Sequence, residues 1–167
     1  MDELARELGM SKKTLYVHFP SKDDLLRAVL EDKLAHVERD LQEVLARKDL
    51  PMPEQLKDLL TRLQGHVHEL HPAFVRDMQR DPQLFAFVDE RRQEILRKYF
   101  GALLEKGRRE GAVRRDVSVI VMVEMLLAAA RAIVNPTRLG QLNLSPQKAF
   151  GQVIGVFLNG ILVGEER

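Results

Sequence analysis

Between Ser11 and Lys22 the chain carries three lysines and no acidic residue, interleaved with the hydroxyls of Ser11, Thr14 and Tyr16 and the imidazole of His18. Cations and hydroxyls at this density suit phosphate oxygens, and polar tips suit base edges. His66, His68 and His71 gather beside Glu69. The string His68-Glu69-Leu70-His71 resembles half of a zinc-protease motif, but its histidines are three apart rather than four and Pro72 follows. Surface or pocket-edge histidines are the better reading, so no metal site is expected. Glu124 and Arg131 are seven residues apart, on one face of an otherwise apolar stretch. Burial there would demand partners, either a polar ligand group or neighbours across a subunit interface. Lys106, Arg108, Arg109, Arg114 and Arg115 are flanked by Glu105, Glu110 and Asp116 and read as a solvated turn.

Composition removes several classes of chemistry. The 167 residues include no Cys and no Trp, which excludes a disulfide framework, a thiolate metal site and a cysteine nucleophile. No Gly-x-Ser-x-Gly, phosphate-cradling glycine loop or isolated carboxylate pair is present, so an enzyme is not expected, nor a cofactor. Apolar residues make up 45%, enough to bury a core. The net charge of +1 is silent about nucleic acid as a whole-chain sum. Residues 1–50 even hold nine basic against eleven acidic side chains, which makes the local +3 of residues 11–22 stand out. No cationic, apolar leader opens the chain, and the cytoplasm is the expected compartment. Residues 117–134 are long and apolar enough to suggest a membrane span, but Glu124 and Arg131 in the middle favour a helix buried on nearly all sides by protein.

The elements that position these groups read as helices throughout. Leu4, Ala5 and Leu8 share a face, Gly9 supplies a turn, and Ser11 can cap a short helix that carries Leu15 and Phe19 inward. Leu4, Leu8, Met10 and Leu15 make the expected inward face. Pro20 stops that helix, and Ser21 with Asp24 resembles a capping box opening a long helix over residues 22–48. Two short helices around a glycine turn match helix-turn-helix geometry. Pro51 and Pro53 mark the domain boundary, giving a DNA-binding region at 1–48 and a second domain at 49–167. Further helices are predicted over 53–70, 72–80, 83–110, 117–134 and 146–163, the last opened by Ser145-Pro146, with a loop from Asn135-Pro136 to that pair.

The run Ser11-Lys12-Lys13-Thr14-Leu15-Tyr16-Val17-His18-Phe19-Pro20-Ser21-Lys22-Asp23-Asp24-Leu25-Leu26 resembles the signature of tetracycline-repressor (TetR) family regulators. The resemblance implies an all-α fold, with an N-terminal helix-turn-helix and a C-terminal helical domain that binds an inducer and dimerises. It implies phosphate contacts from Lys12, Tyr16, His18 and Lys22, and base-edge contacts from Lys13 and Thr14. Dimerisation through the last two helices, about 117–134 and 146–163, agrees with their excess of apolar residues, Phe150, Val153, Ile154, Phe157, Leu158, Ile161 and Leu162 among them. The family's inducer cavity would fall among His71, Phe74, Met78, Phe85, Phe87, Tyr99, Phe100, Met122, Glu124, Met125 and Arg131, although flexible Met and flat aromatic surfaces serve equally as ordinary core. The implied function is a ligand-responsive repressor binding a palindromic operator as a homodimer. The family has a further helix before the one at Leu4, for which this sequence has no counterpart. A loosened N-terminal region with weakened hold on double-stranded DNA is therefore expected. The alternative is a dimeric small-molecule-binding module that does not bind DNA.

Overall fold

The computed structural model describes residues 1–68, 81–133 and 136–163. The described helices are α1 (Asp2–Glu7), α2 (Lys12–His18), α3 (Lys22–Ala46), α4 (Met52–His68), α5 (Pro82–Glu110), α6 (Val119–Ile133), α7 (Pro136–Leu142) and α8 (Pro146–Ile161). The predicted helix over 72–80, with His71, Phe74 and Met78, lies outside the described residues. So do the side chain of His68 and the residues that complete its histidine motif.

Local chemistry starts and stops these helices. Ser11 caps α2, its Oγ accepting from Thr14 N at 3.0 Å, and Ser21 caps α3 by accepting from Asp24 N at 3.0 Å. Ser21 Oγ also donates to Asp24 Oδ2 at 2.7 Å, so the predicted capping pair forms. Asp81 opens α5 by accepting from Gln83 N and Leu84 N, with Pro82 in the first turn. That helix ends at Gly111, in left-handed conformation with φ 79°. Ser145 and Pro146 open α8 as predicted, Lys148 N donating to Ser145 Oγ at 3.2 Å. The expected loop before them instead contains α7. Pro136 stands in the first turn of that helix, where its missing N–H is no loss.

The core lies in the C-terminal two thirds. α5 packs on α3, α4 and α6, and α6 packs on α8. Leu41, Val44, Met52, Leu56, Leu59, Ile95, Leu103, Leu104, Val113 and Met122 are all but sealed from solvent. Gln55 is buried with them. Its amide donates to the Val44 and Arg47 carbonyls at 2.8 Å each, and its Oε1 accepts from Lys106 Nζ at 2.7 Å. The carbonyls freed at the end of α3 thereby find a donor inside the protein.

The basic run at the end of α5 and just beyond it is only partly a solvated turn: Arg109, Arg114 and Arg115 are exposed, whereas Lys106 and Arg108 are half-buried. Lys106 also donates to the Leu50 carbonyl, while Arg108 donates to the carbonyls of Arg115 and Val117 at 2.8 Å each. Arg114 pairs with Asp116 and reaches the Gly160 carbonyl at 3.1 Å. Arg114 and an antiparallel bridge between Val113 and Leu162 tie the segment after α5 to the end of α8, while Lys106 and Arg108 hold carbonyls of neighbouring loops. These cations are held because they satisfy carbonyls that would otherwise lack donors.

Candidate nucleic-acid interface

α1 and α2 meet across Gly9, whose φ of 64° a residue with a Cβ adopts only under strain. Met10 N donates back to the Ala5 carbonyl at 3.0 Å and closes the turn. Ala5, 3% exposed, is small enough to let the two helices approach, and Leu15 fills the space beneath them. The predicted inward face is only half realised. Leu8 is 55% exposed and Met10 36%, because the short α1 turns away after one and a half turns and nothing among the described residues covers them.

With Leu15 pointing inward, the other faces of α2 point out. Lys12, Lys13, Thr14, Tyr16 and His18 are exposed, as is Lys22 at the start of α3. All of the residues assigned to DNA therefore reach solvent from one short helix and the next helix's first turn. Two are not idle in the free protein. Lys12 Nζ lies 2.8 Å from Asp2 Oδ1, and their hydrogen bond holds the lysine's pKa above and the aspartate's below the ordinary values. The Thr14 hydroxyl lies 2.8 Å from Ser11 Oγ in the cap. Val17, 74% exposed, follows Lys13 by four residues and presents two methyl groups beside the cations. Sequence reasoning passed over it. An apolar side chain on a helix this polar was the available signal, since thymine methyl groups are read by such contacts.

Of the candidate inducer residues that lie among the described ones, Glu124 and Arg131 line a common groove and the others are spread between the core and the surface. Tyr99, Phe100 and Met122 are buried in the core, and the Tyr99 hydroxyl lies 3.4 Å from Glu38 Oε1. Phe85 and Met125 face solvent, whereas Phe87 is half-buried with the Arg27 guanidinium 5.2 Å above its ring. Glu124 and Arg131, expected to be buried, are exposed. The apolar composition of α6 does not enclose it, because only one side rests on α5 and α8 while Ile120, Val121 and Met125 share the outer side. Partners are nevertheless present on α5. Arg97 holds Glu124 through Nε–Oε1 and Nη2–Oε2 contacts of 2.5 and 3.2 Å, and Asp89 Oδ2 lies 3.4 Å from Arg131 Nη2. The hydrogen bond lowers the Glu124 pKa and raises that of Arg97. A groove of about 430 Å³ opens here, lined by Gln93, Arg97, Glu124, Leu127, Ala128, Arg131 and Ala132. Nothing in the sequence marked Arg97 as a member.

Ionic contacts also tie α3 to both neighbours. Glu38 accepts from Lys98 at 2.7 Å and from Arg91 at 3.1 Å, and the lysine bond chiefly lowers its pKa. On the other flank, Arg62 reaches Glu43 at 3.1 Å and His66 Nε2 lies 2.8 Å from Asp40 Oδ2. His66 is buried, with the His36 ring edge-on at 5.8 Å. Among the described residues, no three His, Asp or Glu side chains are grouped to hold a metal ion. No described helix is long and apolar enough to cross a membrane.

Residues 1–29 match the family of bacterial regulatory proteins described as the tetR family. The chain is 25% identical over 171 residues to YvaF, an uncharacterized HTH-type transcriptional regulator of Bacillus subtilis, covering 99% of this chain and 87% of that protein. It is 29% identical over 169 residues to the nucleoid occlusion factor SlmA of Shewanella halifaxensis, covering 90% of this chain and 78% of the relative. Its fold resembles that of a transcriptional regulator from Cytophaga hutchinsonii, with TM-score 0.68 at 18% identity over 98% of this chain and 88% of the other.

Proposed function

We propose that this chain is a DNA-binding transcriptional regulator of the tetR family, which its residues 1–29 match, and that it is a ligand-responsive repressor; its all-helical fold is consistent with that reading. It acts in the cytoplasm and grips a palindromic operator as a homodimer. The observation that carries this reading is the outward array on α2. Lys12, Tyr16, His18 and Lys22 take phosphates, whereas Lys13 and Thr14 approach base edges, with Val17 beside them. Residues 1–48 form the DNA-binding unit and residues 49–167 the unit that binds an inducer and dimerises. Dimerisation uses the solvent faces of α6 and α8. Ala149, Val153, Ile154 and Ile161 of α8 face the chain's own core, and its outer side offers Gly151, Gln152, Gly155 and the exposed Val156. An inducer bound among α4, α5 and α6 would favour one of two arrangements of the subunits and change operator affinity by population shift.

Titration of the protein into a fluorescent fragment of the DNA flanking its own gene, at several salt concentrations, tests the reading. Tight binding whose salt dependence weakens by about one ion when Lys22→Ala is introduced supports it. A second reading, a dimeric ligand-binding module that does not hold DNA, is favoured by the exposure of Leu8, Met10 and Val29, which leaves α1 and α2 little to rest on. Binding equal to that of a random duplex at every salt concentration would establish it instead.

A further inference from the structure

One cation of the α2 array is already engaged in the free protein. Lys12 Nζ lies 2.8 Å from Asp2 Oδ1 and donates to Oδ2 at 3.0 Å, so both oxygens of the carboxylate approach the ammonium. Lys13 and Lys22 make no ion pair among the described residues. Asp2 stands in the first turn of α1, across the Gly9 turn from α2. The pair is open to water, with the Asp2 side chain 76% and the Lys12 side chain 53% exposed, so no packing locks it in place. It nevertheless cancels one of the three lysine charges between Ser11 and Lys22. An ammonium has three N–H groups, and a phosphate could reach one that Asp2 leaves over. At hydrogen-bond lengths its oxygen would then stand within about 6 Å of the carboxylate, where like charges repel. Lys12 therefore serves a phosphate fully only after Asp2 lets go.

We infer that Asp2 is a built-in competitor for Lys12, a carboxylate that duplex phosphate must displace before this lysine can bind it, and that Asp2 thereby sets how tightly the α2 array holds DNA. The inference rests on the DNA-binding reading above and adds to it a residue that lowers affinity. Phosphates carry no sequence information, so the contact that Asp2 restrains is the same on every duplex. The base-edge contacts assigned to Lys13 and Thr14 are left alone. Asp2 thus governs strength of binding and not sequence preference.

The test titrates the full chain into two fluorescent duplexes, the fragment flanking its own gene and a random one, at several salt concentrations. Wild type, Asp2→Asn, Lys12→Met and the double variant are compared, with circular dichroism to verify that each keeps its helices. Asp2→Asn should bind both duplexes about two- to fivefold more tightly, the range open to an exposed ion pair. Its affinity should also fall more steeply with salt, by about one ion. Lys12→Met should weaken binding to both, and in its background Asp2→Asn should change affinity by less than about 1.5-fold. An Asp2→Asn chain that binds no more tightly than wild type overturns the inference. A gain equally large without Lys12 makes Asp2 a general repellent of polyanions and overturns it as well. If wild type and Asp2→Asn both fail to bind either duplex at the lowest salt, the DNA-binding reading itself falls.

Discussion

The two ends of α3 belong to differently built regions. Beyond its N-terminus, α1 and α2 fully bury Ala5 and Leu15 and turn almost everything else outward. Around its C-terminal half, α3 joins α4, α5, α6 and α8 in one continuous apolar core running from Leu34 to Ile161. The small region owes its shape to caps and a turn: Ser11, Ser21 and Gly9 do there what packed side chains do elsewhere. Its stability should accordingly be local and low, and the C-terminal body should set the global unfolding transition. A region with few internal commitments can still adjust its outward side chains, whereas the body cannot adjust cheaply at all.

The largest effects should come from attacking the body. Leu104→Ala removes a sealed side chain at the centre of the core and should cost about 2–5 kcal/mol in chemical denaturation. Leu8→Ala, the matching truncation in the small region, should stay within about 0.5 kcal/mol because its side chain is already half in water. Equal losses would abolish the distinction. Next in size is Ser11→Ala, which deletes the α2 cap and should cost about 1 kcal/mol. That loss should appear as faster hydrogen exchange in α2 alone, with the melting of the body unchanged.

The caps explain why so much was legible. A Ser or Asp accepting from the N–H groups of the next turn is a contact over two or three residues, and the one-dimensional string preserves it. Helix starts at Ser11, Ser21 and Ser145 could be read for that reason, and so could the outward array on α2, since Leu15 orients the whole helix. The misreadings all depend on partners distant in sequence. Lys106 appeared solvated because Leu50 and Gln55 are more than fifty residues away. Glu124 appeared buried because helix composition does not say which side has neighbours, and Arg97 announces itself only in three dimensions. Leu8 and Met10 fit a helical stripe, yet no described element lies over them.

The smallest effect sharpens the junction between the regions. Glu38, on α3, has its pKa lowered chiefly by Lys98 and further by Arg91. A depressed carboxylate contributes stability above its unfolded value, near 4.5, and loses it as pH falls through the lower folded value. Glu38→Gln should therefore be less stable than wild type above about pH 4.5, with the difference vanishing as the medium becomes more acidic. Both cations are largely solvated, so the gap should stay below about 1 kcal/mol. Urea midpoints at pH 3 to 7 would resolve it.

Ionic contacts at Glu38, Asp40 and Glu43 hold α3 well past its midpoint, and nearer its start the Arg27 guanidinium rests over the Phe87 ring of α5. From Glu38 back to Lys22 the helix runs about 24 Å at 1.5 Å per residue. A tilt of about 5° pivoting at Glu38 would carry Lys22 through about 2 Å, several times the spread of lengths a hydrogen bond tolerates. α3 thus has a short arm in the core and a long arm toward Lys22 and the cations of α2. An adjustment at Asp40 small enough to keep every packed contact is amplified, at Lys22, into a displacement longer than a hydrogen bond can follow.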